Sequence, residues 1–170
     1  MYIMSIKLSN VEAILAIDSN NGLAKNGSIP WKSKTDMTFF KNKTYENIVI
    51  MGSKTLFSLP MAQPLKNRTN IVITNEKEKY SNLYNQNNKD LIFLNLSETL
   101  EFMKINTDKK IFIIGGNQIY NLLMPYCSSI WITKMKKDYV CDLIFDLSSL
   151  STYTKEVIYE DNELEIMKLQ

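Results

Sequence analysis

Histidine is absent from the 170 residues of this chain. That absence excludes a Ser-His-Asp triad, a Cys-His pair and any histidine metal site. Acid–base chemistry must then come from a carboxylate, Lys, Tyr, Cys, water or a bound cofactor. Cysteine is scarce, and Cys127 and Cys141 lack the close spacing of a metal motif, so no metal is expected. In a chain that is not exported they are expected as reduced thiols. No apolar run approaches bilayer length, and the opening MYIMSIKLSN lacks a signal peptide's long apolar stretch. The expectation is a soluble, cytoplasmic protein with no membrane partner. A strong charge of one sign is lacking too. The formal net charge of +2 gives no large electrostatic footprint, so no nucleic-acid partner is expected. There is neither an internal repeat nor a domain linker, and the length suits one domain with a full core over residues 1–170. No exposed apolar helix face demands a partner, which points to a monomer.

What is present is alternation. Short β-branched runs (VEAILAI from Val11, NIVIMG, NIVIT from Asn70, LIFLN from Leu91, KIFIIGG, SIWITKM) read as strands. Between them KTDMTFFKNKT, SKTLFSL, SETLEFMKI and NQIYNLLM read as helices, with Ser97 as the N-cap of the third. TKEVIYE and ELEIMKL alternate in period two across the turn DN and read as a closing antiparallel hairpin. The expected fold is α/β: one domain with a mostly parallel, twisted sheet of about eight strands, helices on both faces and an antiparallel C-terminal hairpin. The polar stretch Asn75 to Asp90 reads as a mobile surface connection.

Several stretches can carry chemistry. IVIMGSKT puts Gly52 at a strand end and Ser53, Lys54 and Thr55 at a helix start, and FIIGGNQIY does the same with Gly115 and Gly116. Helix N-termini offer unpaired N–H groups to phosphate oxygens, although glycines also simply end strands. Neither turn is a Walker motif or a GxGxxG fingerprint. Two such turns suit a ligand with more than one phosphate, such as a dinucleotide. In PLKNRTNIVIT, Arg68 precedes a buried strand and can grip a carboxylate bidentately; taken alone, it reads more simply as an ordinary surface arginine. Asp36 lies between Ile29-Pro30-Trp31 and Phe39-Phe40. Ser33-x-x-Asp36 matches a capping box, so Asp36 can be a helix cap or a functional carboxylate held among apolar groups.

Taken in order, AIDSNNGLAKNGSIPW, TDMTFF, IVIMGSKTLFSLP, PLKNRTNIVIT, FIIGGNQIY and IWITKM resemble dihydrofolate reductase over about residues 11–140. The tail EVIYEDNELEIMKL fits that family's C-terminal hairpin. The resemblance implies reduction of 7,8-dihydrofolate to 5,6,7,8-tetrahydrofolate with NADPH, and binding of antifolates such as methotrexate. Asp36 matches the acidic residue that faces the folate's pteridine, and Thr133 would orient it. Ile14, Leu15, Phe40, Leu59, Leu65 and Ile114 would form apolar walls, and Arg68 would hold the α-carboxylate of the glutamate tail. Ala16 and a mobile lid containing Gly22, Leu23, Asn26, Gly27, Ser28 and Ile29 would cover the nicotinamide. Gly52, Ser53, Lys54, Thr55, Thr74 and Asn75 would lie along the cofactor phosphates. Gly116, Asn117, Gln118 and Ile119 would cradle the pyrophosphate, with Tyr120 near the nicotinamide. The family pattern also implies a cis Gly115–Gly116 peptide.

This sequence departs from the pattern at Ala24, where a second lid glycine is usual, and at Ala62, where a polar residue is common. Ser53 and Asn75 stand where basic residues often meet the cofactor's 2′-phosphate. The alternatives are the related pyrimidine reductase of riboflavin synthesis and a non-catalytic folate- or RNA-binding relative.

Overall fold

Runs of β-branched residues and helix caps set most element boundaries. The computed structural model describes residues 6–170. The chain opens with β1 (Leu8–Ile17), β2 (Gly22–Ala24), α1 (Lys34–Thr44), β3 (Ile48–Gly52) and α2 (Ser53–Ser58). It continues through β4 (Thr69–Ile73), α3 (Lys77–Ser81), β5 (Leu91–Leu94), α4 (Leu96–Ile105), β6 (Ile111–Gly115) and α5 (Asn117–Leu123). It closes with β7 (Cys127–Met135), β8 (Leu143–Ile144), β9 (Lys155–Glu160) and β10 (Leu164–Leu169).

Among the described residues, eight strands form a sheet in the order β5-β4-β3-β6-β1-β7-β10-β9, and β2 pairs with β8 separately. β3 runs parallel to β4 and β6, and β4 runs parallel to β5. β10 runs antiparallel to β7 and β9. This is the expected mostly parallel α/β sheet with its C-terminal hairpin. The β2–β8 ribbon was not expected, because three- and two-residue strands carry no period to read.

The chain divides into two compact units. The first comprises Ala13–Lys43 and Ser129–Gln170. Its core holds Trp31, Met135, Leu164 and Ile166, with Ala16, Phe39, Tyr139 and Cys141 packed against them. α1 begins here because Ser33 caps it: the Ser33 carbonyl accepts from Met37 N at 3.0 Å and its Oγ from Asp36 N at 3.2 Å. Asp36 in the first turn and Lys41 and Lys43 in the last complement the helix dipole.

The second unit comprises Met1–Glu12 and Thr44–Ser128. Ile48, Val49, Ile50 and Met51 are all buried, so both faces of β3 are covered, as a continuous apolar run requires. Two expectations are corrected in this unit. Asn95, not Ser97, caps α4: its Oδ1 accepts from Glu98 N at 2.8 Å, and its side-chain amide donates to Glu98 Oε1 at 2.9 Å. The polar stretch from Asn75 to Asp90 is more than a surface connection. It contains α3, which Lys77 ties to Glu98 at 2.6 Å and which Tyr80 packs against Phe93.

Candidate functional site

In the first unit the chemistry gathers around Asp36. It is the third residue of α1, half-buried, and its carboxylate is hydrogen-bonded by the side chain of Thr133 on β7. Thr133 is itself buried. Desolvation pushes the Asp36 carboxyl above the usual carboxylate range; the Thr133 bond and the Trp31 indole oppose this, and the Glu163 charge adds to it. The Trp31 N–H has no hydrogen-bond partner, so its pull on Asp36 is that of a dipole outside bonding geometry. The capping-box reading is half right. Ser33 caps the helix, but the Asp36 carboxylate turns to Thr133 rather than back to the cap. Nor is that carboxylate solitary, because Glu163 lies close enough to act on it. Ile14 and Leu15 are buried on β1, with Ala16 beside them half-buried. Phe40 follows Asp36 one turn along α1 and is half-buried.

The expected lid belongs to the same unit. Gly22 and Leu23 are buried, whereas Asn26, Gly27, Ser28 and Ile29 are exposed. Lys25 and Ser28 exchange backbone bonds of 2.8 and 3.2 Å, with Asn26 and Gly27 both at positive φ, as an Asn-Gly turn requires. The base of the lid is held by Asp18, which is fully buried. Its carboxylate accepts from Asn20 N (2.9 Å), Gly22 N (2.7 Å) and Tyr139 N (2.9 Å). Burial alone would raise its pKa, but these N–H donors and the Cys141 thiol outweigh that and hold it below the usual range. A Cβ at Gly22 would lie 2.5 Å from that of Cys141, so only glycine fits. Burial, the bond to Asp18 and neighbouring carboxylates push the Cys141 thiol up to about 11. Both cysteines are free thiols.

In the second unit Arg68 is 9% exposed, which rules out an ordinary surface arginine. Its Nε donates to Thr44 Oγ1 at 2.8 Å and its Nη1 to the Lys66 carbonyl at 2.7 Å. Desolvation lowers its pKa. Asn70 braces the approach to Arg68 by accepting from Leu65 N and donating to Leu65 O, both at 2.9 Å. Leu59, Leu65 and Ile114 are half-buried. The two glycine turns also come together here. Gly52 and Gly116 are the N-caps of α2 and α5, and neither helix has a side-chain cap bond. A Cβ on Gly116 would meet Thr55 Oγ1 at 3.5 Å, and one on Gly52 would meet Ile119 at 3.1 Å. The Gly115–Gly116 peptide is cis, as expected. Gly115 has φ +118°, and the Tyr120 ring lies 3.3 Å from where its Cβ would be. Paired helix N-termini without side-chain caps, with glycine backbone between them, fit a phosphate-bearing cofactor.

Around these turns Ser53 and Asn117 are half-buried, while Lys54, Asn75 and Gln118 are exposed. Thr74 is engaged locally, its Oγ1 accepting from Glu76 N at 3.0 Å. Sequence reasoning missed Thr44, Glu163 and Asp18. Thr44 was within reach, because Asp36, Phe40 and Thr44 recur every four residues along one face of α1. Glu163 carries no such signal, since 130 residues separate it from Ser33.

Comparison with known proteins follows the same pattern. A family model described as dihydrofolate reductase matches residues 10–166. Dihydrofolate reductase of Staphylococcus haemolyticus is 31% identical over 150 residues, covering 88% of this chain and 84% of its own length. The Pneumocystis carinii protein of that name is 34% identical over 149 residues, covering 79% and 72%. A solved structure of dihydrofolate reductase from Enterococcus faecalis, complexed with NADP(H) and RAB-propyl, gives a TM-score of 0.75. It is 23% identical and covers 100% of this chain and 98% of that one, a likeness of fold.

Proposed function

The chain belongs to the dihydrofolate reductase family, and from that premise we propose that it reduces 7,8-dihydrofolate to 5,6,7,8-tetrahydrofolate with NADPH, using Asp36 as the ionisable group at the reacting end of the folate. The observation that carries this reading is the Asp36 carboxylate itself. It is desolvated, bonded by buried Thr133 and raised in proton affinity, in a chain without histidine.

When bound, NADPH supplies a hydride from nicotinamide C4 to the pterin carbon beside the ring nitrogen that takes the proton. Asp36 would accept hydrogen bonds from the pteridine amino group and ring N–H. Its negative charge, strengthened by the low local dielectric, favours the protonated state of that adjacent nitrogen. The proton itself is assigned to water. Thr133 keeps one carboxylate oxygen oriented. Ile14, Leu15, Phe40, Leu59, Leu65 and Ile114 are the apolar side chains that would exclude water from the rings. Arg68, with its fork set by Thr44 and the Lys66 carbonyl, grips the tail carboxylate.

Ala16 and the lid residues Gly22, Leu23, Asn26, Gly27, Ser28 and Ile29 cover the nicotinamide, with Tyr120 beside it. Gly52, Ser53, Lys54, Thr55, Thr74 and Asn75 hold the phosphates, together with Gly115, Gly116, Asn117, Gln118 and Ile119. We further propose a cytoplasmic monomer that binds methotrexate; among the described residues no helix is long and apolar enough to cross a membrane. NADPH oxidation with dihydrofolate as the varied substrate tests the function. Saturable, dihydrofolate-dependent oxidation is expected, and methotrexate binding without any oxidation would overturn it.

A further inference from the structure

We propose that Glu163, reaching α1 through the hydroxyl of Ser33, is a positioning residue that fixes the orientation and charge environment of Asp36. The proposal rests on the reading of Asp36 as the ionised group at the reacting end of the folate. Ser33 is 2% exposed. Its Oγ accepts from Asp36 N at 3.2 Å and donates to Glu163 Oε2 at 3.1 Å. A hydroxyl has one proton. With that proton committed to Glu163, an oxygen lone pair faces the Asp36 N–H, and the charge on Glu163 strengthens that acceptor.

In a capping box the acid at the third helical position serves the cap. Here that residue is Asp36, and its carboxylate is bonded by Thr133 instead. Glu163, from the β9–β10 turn, supplies a carboxylate to the cap from elsewhere in the chain. Its backbone is held from two sides, although the residue is exposed. Its N–H donates to Asp161 Oδ1 at 2.8 Å, and its carbonyl accepts from Lys136 N at 2.9 Å.

The charge on Glu163 also raises the proton affinity of Asp36. The other groups acting on Asp36, Thr133 of β7 and the Trp31 indole, are uncharged. Asp161 and Tyr159 lie on the Glu163 hairpin, where Tyr159 donates to Asp161 at 2.9 Å. The Lys136 ammonium is paired with Glu160 at 2.9 Å. Lys32 and Lys34, which flank Ser33, are exposed.

Glu163→Gln keeps an acceptor for Ser33 and removes the charge, so it isolates the electrostatic part. Ser33→Ala removes both links. The test is a carboxyl-carbon NMR titration of Asp36, read beside the pH profile of turnover, with Glu160→Gln as the charge control. Glu163→Gln should move the Asp36 titration and the low-pH fall in turnover to lower pH, by less at high salt. Glu160→Gln should leave the titration in place. Ser33→Ala should disturb the titration and lower Tm by about 2–4 °C, the value of a lost cap in a chain of this size. An Asp36 titration unchanged in Glu163→Gln, or moved as far by Glu160→Gln, overturns the proposal. If the titration moves and the turnover profile does not, the coupling stands and the catalytic reading of Asp36 falls.

Discussion

Replacing Arg68 with Ala should separate ligands by whether they carry a glutamate tail. A charge-assisted contact of this kind is worth roughly 1.5–3 kcal/mol. That corresponds to a loss of about 10- to 150-fold in dihydrofolate affinity. A pterin without the glutamate should bind almost as before, because it never meets the guanidinium. The substitution also has a structural cost. Thr44 Oγ1, on a residue with 0% exposure, loses its 2.8 Å donor, and the Lys66 carbonyl loses its 2.7 Å donor. Leaving a buried acceptor without its donor costs about 1–3 kcal/mol of stability. Affinities must therefore be compared below the unfolding transition, with thermal unfolding measured alongside. Arg68→Lys makes the comparison sharper: it keeps the charge but cannot donate from Nε and a second nitrogen in a fixed fork. Its loss should fall between those of wild type and Arg68→Ala, and Thr44→Val should mimic part of it by releasing the fork. Calorimetric or fluorescence Kd values for both ligands decide the matter. Equal losses for the tailed and tailless ligands would show that Arg68 does not meet the carboxylate.

Further tests follow from the two aspartates of the first unit, whose pKa shifts have opposite signs. Asp36 is raised by burial, so its stabilising contribution is present below the unfolded pKa and is lost as pH rises through the folded value. Asp36→Asn should therefore match or exceed wild-type Tm at neutral pH, with the gap closing on acidification; a clear loss of Tm at neutral pH would contradict this. Asp18 is held below the usual range by its N–H donors despite burial, so its contribution is present above the unfolded pKa and fades as pH falls through the folded value. Asp18→Asn should lose roughly 2–3 kcal/mol in neutral-pH denaturation and converge with wild type in acid. For the cofactor, Ser53→Arg should widen the NADPH-over-NADH ratio of kcat/KM, in part reversibly with salt. An unchanged ratio would mean that residue 53 does not face the 2′-phosphate.

Much of this arrangement was legible because local chemistry and tertiary structure agree. β3 and β6 are apolar throughout and buried except for half-buried Gly52 and Ile114, and KTDMTFFKNKT coincides with α1. The cis Gly115–Gly116 peptide followed from the family resemblance, whereas residue type and place alone left Arg68 open and its burial came from the structure. What escaped was nonlocal or short. The Asn95–Glu98 cap competed with a serine two residues later, and only side-chain geometry decides between them. α3 is five residues long in an Asn- and Lys-rich stretch, and it is held by Lys77–Glu98 and by aromatic packing rather than by propensity. Glu163 has no sequence signal at all: it meets Ser33 only because β10 pairs with β7 in one particular register.

The most direct test of the central claim is turnover of Asp36→Asn at neutral pH, with NADPH and saturating dihydrofolate. The amide keeps the shape and hydrogen-bonding capacity of the side chain and removes its charge. If Asp36 is the ionisable group of the reaction, the variant folds, still binds folate and loses on the order of 10²-fold or more in kcat. A folded Asp36→Asn enzyme with near-wild-type kcat would contradict the account and reduce Asp36 to a residue of the helix cap.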